Sequence, residues 1–289
     1  MLAIFNWPFS KRPLASIQRR DAPFRTIWSI CHIIGCLGLL LHSNLSAKAD
    51  NPQTNPGKPQ FAVRVGRTYQ TAKHRFETEP GNDEAAWQFA RACFDWADFA
   101  ASDSQRAMIA SEGIAACKKV INRESDSAAA HYYLFMNLGQ LAQTKTIGAL
   151  KILGQMESEI KIALKLDPTF DFAGPDRNLG LLYLEAPGWP IGNGNKSKAR
   201  THLQAAVKLF PDYPENQLNL IEAELKWGDR NGALRDLKNL DDILPGARMK
   251  LTGDDWASSW DDWNPRIEAA HRKANEPVKM TPPRKSQEN

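Results

Sequence analysis

Seven residues have the types and placement to hold a ligand: Tyr132, Tyr133, Asn137, Asp176, Arg177, Trp189 and Asn216. Arg177 carries a planar, two-pronged donor suited to a carboxylate, and Asp176 stands beside it. The same pair can instead cap a helix and bridge to its neighbour. Tyr132 and Tyr133 point about 100° apart on a helix, which sends one into a core and leaves the other for a groove. Asn137 lies on the same helix. Asn216 either extends that lining or serves as a polar residue in the first turn of a later helix. Trp189 is the lone aromatic residue of the stretch 186–195 (APGWPIGNGN). There it covers a groove between helices or fills a gap in their packing.

Groups able to make or break bonds are not assembled in the same way. The six histidines (His32, His42, His74, His131, His202 and His271) are scattered. No pair has metal-ligand spacing, and no nucleophile motif is present. Gly192 to Lys196 lacks the spacing of a phosphate loop and the strand that should precede it. The carboxylates are spaced like solvated helix faces. The expectation is a binding protein and not an enzyme, with no catalytic residue, metal or cofactor. Cys93 and Cys117 could pair in an oxidising compartment, closing a loop that adds about 3 kcal/mol. The alternative is two small buried thiols.

The formal charge of +4 is unevenly placed. Residues 1–49 hold six of the 37 Lys/Arg and one of the 33 Asp/Glu, so 31 basic and 32 acidic residues remain beyond them. A near-neutral body excludes the electrostatic footprint of a nucleic-acid binder. The basic start is followed by an apolar run from Ile27 to Leu41 and then by Ala47-Lys48-Ala49. That is the order of a secretory signal, and the run is shorter than the roughly 20 residues of a spanning helix. Cleavage after Ala49 is expected, giving a periplasmic or secreted chain. Lipid attachment at Cys36, an uncleaved anchor and an organelle transit peptide are the alternatives.

The elements that must position the seven residues are helical. Residues 50–60 carry three prolines and no apolar residue, and read as a linker. From 61 to 273 apolar residues recur at helical spacing with Pro and Gly as punctuation, and 274–289 reads as a disordered tail. Leu179-Gly180 with Tyr183, then Ala199, Leu203, Ala206 and Pro211, follow the tetratricopeptide (TPR) pattern. Leu220, Ala233, Leu237, Leu240 and Pro245 repeat it, and Pro211 and Pro245 lie one TPR period apart. The expected fold is all-α: a TPR-like solenoid of about four antiparallel hairpins, one helix before them and a Trp-rich cap (Trp256, Trp260, Trp263) after them. One hairpin cannot bury its own apolar face, so several must stack.

The run Gly174 to Tyr183, with Ala186-Pro187-Gly188-Trp189-Pro190, Lys198-Ala199 and Pro211 to Asn216, resembles the TatT-type family. His131 to Leu134 and Asn137-Leu138-Gly139 fit the same resemblance. These are exported TPR-like proteins associated with TRAP transporters, and the resemblance covers roughly residues 84–245. It implies a periplasmic location and partnership with a solute-binding protein or its ligand. The leading reading is therefore an exported scaffold for a protein partner. A carrier of a small apolar or carboxylated ligand and a cell-envelope assembly factor are the alternatives. Membrane contact is expected only through a retained or lipidated N-terminus.

Overall fold

A computed structural model describes residues 58–145, 148–188 and 191–276. The segment read as a signal, Trp189 and the chain from 277 onward lie outside them. The described residues form ten helices: α1 (Lys58–Thr78), α2 (Asp83–Ala97), α3 (Asp103–Arg123), α4 (Ala128–Gln143), α5 (Ala149–Leu166), α6 (Phe170–Glu185), α7 (Lys196–Leu209), α8 (Pro214–Lys226), α9 (Arg230–Lys250) and α10 (Ala257–Asn275). Among them there is no strand, only an isolated bridge between Gly188 and Gly194. The fold is the expected all-α, TPR-like solenoid.

Helices α2/α3, α4/α5, α6/α7 and α8/α9 pair as antiparallel hairpins, with α1 against α2 and α10 against α8. Successive first helices (α2, α4, α6, α8) touch one another. That side is the inner one, and the second helices stand apart on the outside. Caps set the helix starts: Asn82, Ser102, Ser127, Asn195 and Asp229 each accept a backbone N–H from their helix's first turn. Small residues allow close approach both between hairpins and within them. A Cβ on Gly113 would stand 2.4 Å from the Asn137 side chain, and one on Gly180 2.8 Å from Leu203.

Three boundaries differ from the expectation. Helix α1 starts at Lys58, inside the segment read as a linker, and α10 runs to Asn275. Helix α9 does not stop at Pro245 but continues to Lys250. Proline already has a helical φ, and its missing N–H falls on an exposed face near the helix end, where little is lost. Cys93 and Cys117 are free, buried thiols and not a disulfide. They pack as small apolar groups in the core shared by α2, α3 and α4, and burial pushes both thiols well above their usual pKa.

The apolar interior falls into two main clusters. One runs from Tyr69 on α1 to Ala199 on α7. The other joins α8, α9 and α10 through Leu218, Ile221, Leu237, Leu240, Trp263 and Ile267. A smaller cluster of Leu181, Leu203, Leu220 and Ala223 bridges α6, α7 and α8. Between the two main clusters, at the start of α6, the contact is polar.

Candidate functional site

That polar contact gathers three of the seven residues singled out from the sequence: Tyr132, Arg177 and Asn216. Its centre is a turn of unusual hand. Asp171, Phe172 and Ala173 all have positive φ (50°, 54° and 62°), although none is glycine. Left-handed backbone costs about 1–2 kcal/mol per such residue. The turn sends Phe170 back against Tyr132 and Tyr133, with centroids 5.0 and 6.0 Å away. It sends Phe172 forward onto Tyr213, stacked at 4.4 Å. One short segment thus places an aromatic ring on each neighbouring hairpin.

Arg177 holds the turn. Its guanidinium donates to the carbonyl oxygens of Asp171 and Phe172 (both 3.1 Å), to Asp171 Oδ2 (2.7 Å) and to Asn216 Oδ1 (3.0 Å). Asn216 Nδ2 donates in turn to Phe172 O (3.0 Å) and Ala206 O (3.1 Å). Tyr132 Oη donates to Asp171 Oδ2 (2.5 Å) and accepts from Asn178 Nδ2 (2.8 Å). Burial alone would lower the Arg177 pKa, but the Asp171 carboxylate overrides it and raises the value further. Burial, with Asp171 beside it, pushes the Tyr132 phenol well above its usual range. Tyr132, Arg177, Asn178 and Asn216 are buried and the Asp171 side chain is 9% exposed, so Arg177 faces a carboxylate of its own chain.

The remaining candidates are also drawn inward. Tyr132 and Tyr133 are both core residues, not one core and one groove. Helix α4 is covered on every side by α2, α3, α5 and Phe170, so a 100° difference in direction still ends in protein. Tyr133 stacks on Trp87 at 5.9 Å. Asn137 Nδ2 donates to Ala90 O and Tyr133 O (both 2.8 Å), tying α4 to α2. Asp176 Oδ1 takes His202 Nδ1 at 2.8 Å across the α6/α7 hairpin.

The insertion at 186–195 is tied down at several points. Glu157 Oε1 accepts from Tyr183 Oη and Oε2 from Asn193 Nδ2, both at 2.6 Å. Gly194 N reaches Pro187 O, and Asn195 N reaches Tyr183 O, both at 2.8 Å. Burial would raise the Glu157 pKa, but the bonds from Asn193, Lys161 and Tyr183 hold it down at about 2. Ile191 projects from this loop with 61% of its surface exposed.

Two further clusters escaped sequence reasoning. Arg266 on α10 donates to Glu215, Glu222 and Asn219 on α8 and to Asp262 on its own helix. Trp263 Nε1 donates to Glu215. Glu224 is fully buried, and neither of its oxygens receives a hydrogen bond. Arg235 and Arg200 stand 3.7 and 3.8 Å from its Oε1. Burial first, and then the Asp236 carboxylate, raise its pKa to about 7. Single residue types gave no signal for either cluster, because both depend on which helices meet.

No group of three or more His, Cys, Asp or Glu among the described residues could hold a metal ion. None of the described helices is long and apolar enough to cross a membrane.

The family described as Regulator of microtubule dynamics protein 1-3 matches residues 47–173, short of half the chain. No curated protein matches. Among solved structures, TTC0263, a thermophilic TPR protein of Thermus thermophilus, is 19% identical with a TM-score of 0.54. The match covers 75% of this chain and 96% of that one. MamA is 16% identical with a TM-score of 0.43, covering 64% of this chain and 92% of that one. At these identities the likeness bears on fold alone, and TTC0263 agrees with a TPR solenoid.

Proposed function

We propose that this chain is an exported TPR-like scaffold that holds a protein partner, with the loop at 186–195 as its presented contact. The observation that carries the reading is an apolar side chain offered beside an anchored loop base. Glu157, Tyr183 and Asn193 fix its base, and Ile191 stands in solvent. Binding residues sit on loops positioned by a rigid body, and an anchored base lowers the entropy lost on association. A solute-binding component of a transporter is the partner class that the TatT resemblance implies.

The alternative of a carboxylate carrier is weakened by Arg177, whose donors are engaged inside the protein. The test is affinity capture from the native cell envelope, read by mass spectrometry after mild crosslinking. A stoichiometric solute-binding protein supports the reading. Ile191→Asp should then reduce its capture about tenfold, as for an interface anchor, with the helical circular dichroism unchanged. Undiminished capture by that variant rules out the loop as the contact. Recovery of envelope-assembly proteins instead moves the chain to that role.

A further inference from the structure

The outer face of the solenoid separates charge in a way that the overall composition conceals. Apart from Asp103 in the first turn of α3, every exposed charged residue on α3, α5 and α7 is basic. The set includes Lys118 and Lys119 on α3, Lys151 and Lys165 on α5, and Lys198 and Lys208 on α7. The other carboxylates of these helices are spent on neighbouring side chains. Glu112 takes Tyr69 and Lys73, Glu157 takes the loop, and Glu159 takes His131. The same three helices carry Met108, Leu150, Leu166 and Leu209, which are large apolar side chains left exposed.

We infer that the outer face formed by α3, α5 and α7 docks on an anionic lipid bilayer surface. The chemistry of the face selects this occupant. Lysine is a flexible point charge, whereas discrete phosphate or carboxylate groups are read by the arginine fork. The exposed cations are nearly all lysines, and Arg123 is already engaged by Asp83. Lys151 and Lys165 lie about 20 Å apart along α5 at 1.5 Å per residue, which suits a spread of charge and not a single group. Each basic residue near an anionic leaflet contributes about 1 kcal/mol. Met108, Leu150, Leu166 and Leu209, exposed beside the lysines on the same helices, can enter the headgroup boundary.

The test uses the full chain and co-flotation with vesicles. It should float with phosphatidylcholine–phosphatidylglycerol vesicles more strongly than with phosphatidylcholine alone, and high salt should abolish the difference. Reversing Lys151, Lys165 and Lys208 together to Glu should weaken the anionic partition at least about tenfold, with circular dichroism unchanged. Reversing Lys250, Arg272 and Lys273 to Glu alters net charge equally and should leave the partition intact. Equal loss in both triple variants would reduce the effect to net charge and overturn the inference. So would retention of anionic binding by the first variant, or equally tight binding to soluble poly-glutamate.

Discussion

Glu224 shows how a single buried carboxylate sets a pH dependence. Its pKa is about 7 in the folded chain, against 4.5 for an ordinary glutamate. Between those values the unfolded chain gives up the proton while the folded chain keeps it, so stability falls as pH rises. Above about 7 both states are ionised and the loss is complete. Glu224→Gln should therefore flatten the descent. At pH 8 the variant should be more stable than the parent by about 1–3 kcal/mol, and the gain should shrink towards pH 4.5. Urea melts across that range measure it, and an unchanged slope would mean that Glu224 is ionised throughout. Glu157 works with the opposite sign. Its stabilisation is present above 4.5 and is lost as pH falls towards 2.

At the scale of elements, the reversed turn before α6 depends on Arg177. Replacing it by Met leaves the Asp171 carboxylate buried without its cation, and the two turn carbonyls lose its hydrogen bonds. Removing one partner of a buried pair costs about 3–5 kcal/mol, so Arg177→Met should lower the urea midpoint markedly. A loss below about 1 kcal/mol, the range of exposed pairs, would show that the aromatic contacts of Phe170 and Phe172 hold the turn unaided. The helices themselves were legible in the sequence, because period, caps and prolines are local signals. Regular helical backbone in α6 begins after Ala173, and Pro175 suits that first turn. The turn was not legible, since Asp171, Phe172 and Ala173 include no glycine and nothing local favours positive φ. Arg177 was read from the sequence as a donor suited to a carboxylate, and in the fold its donors meet Asp171 and Asn216. Sequence shows a donor and an acceptor, and only packing shows that they face each other.

For the whole molecule, the repeat period of 34 residues foretold stacked hairpins, and the Trp stripe foretold the cap. Trp263 is buried against Tyr213 on the last hairpin, with ring centroids 5.7 Å apart. Trp263→Ala should cost about 3–5 kcal/mol, seen first as faster hydrogen exchange in α8 and α10, because repeat arrays open from their ends. Uniform acceleration across all ten helices would instead indicate one cooperative unit. The division of charge on the outer helices was hidden, since it depends on which carboxylates turn inward. The clamp around Arg177 carries a mechanical consequence. Apolar contacts weaken gradually as surfaces slide, because many small attractions share the load. Hydrogen bonds are short and directional, and fail over a fraction of an ångström. Tyr132 on α4, Arg177 on α6 and Asn216 on α8 therefore pin three successive hairpins with brittle fastenings. Pulled from its ends, the array would resist without yielding until those fastenings broke together, leaving the smaller apolar cluster of Leu181, Leu203, Leu220 and Ala223 to hold the two cores.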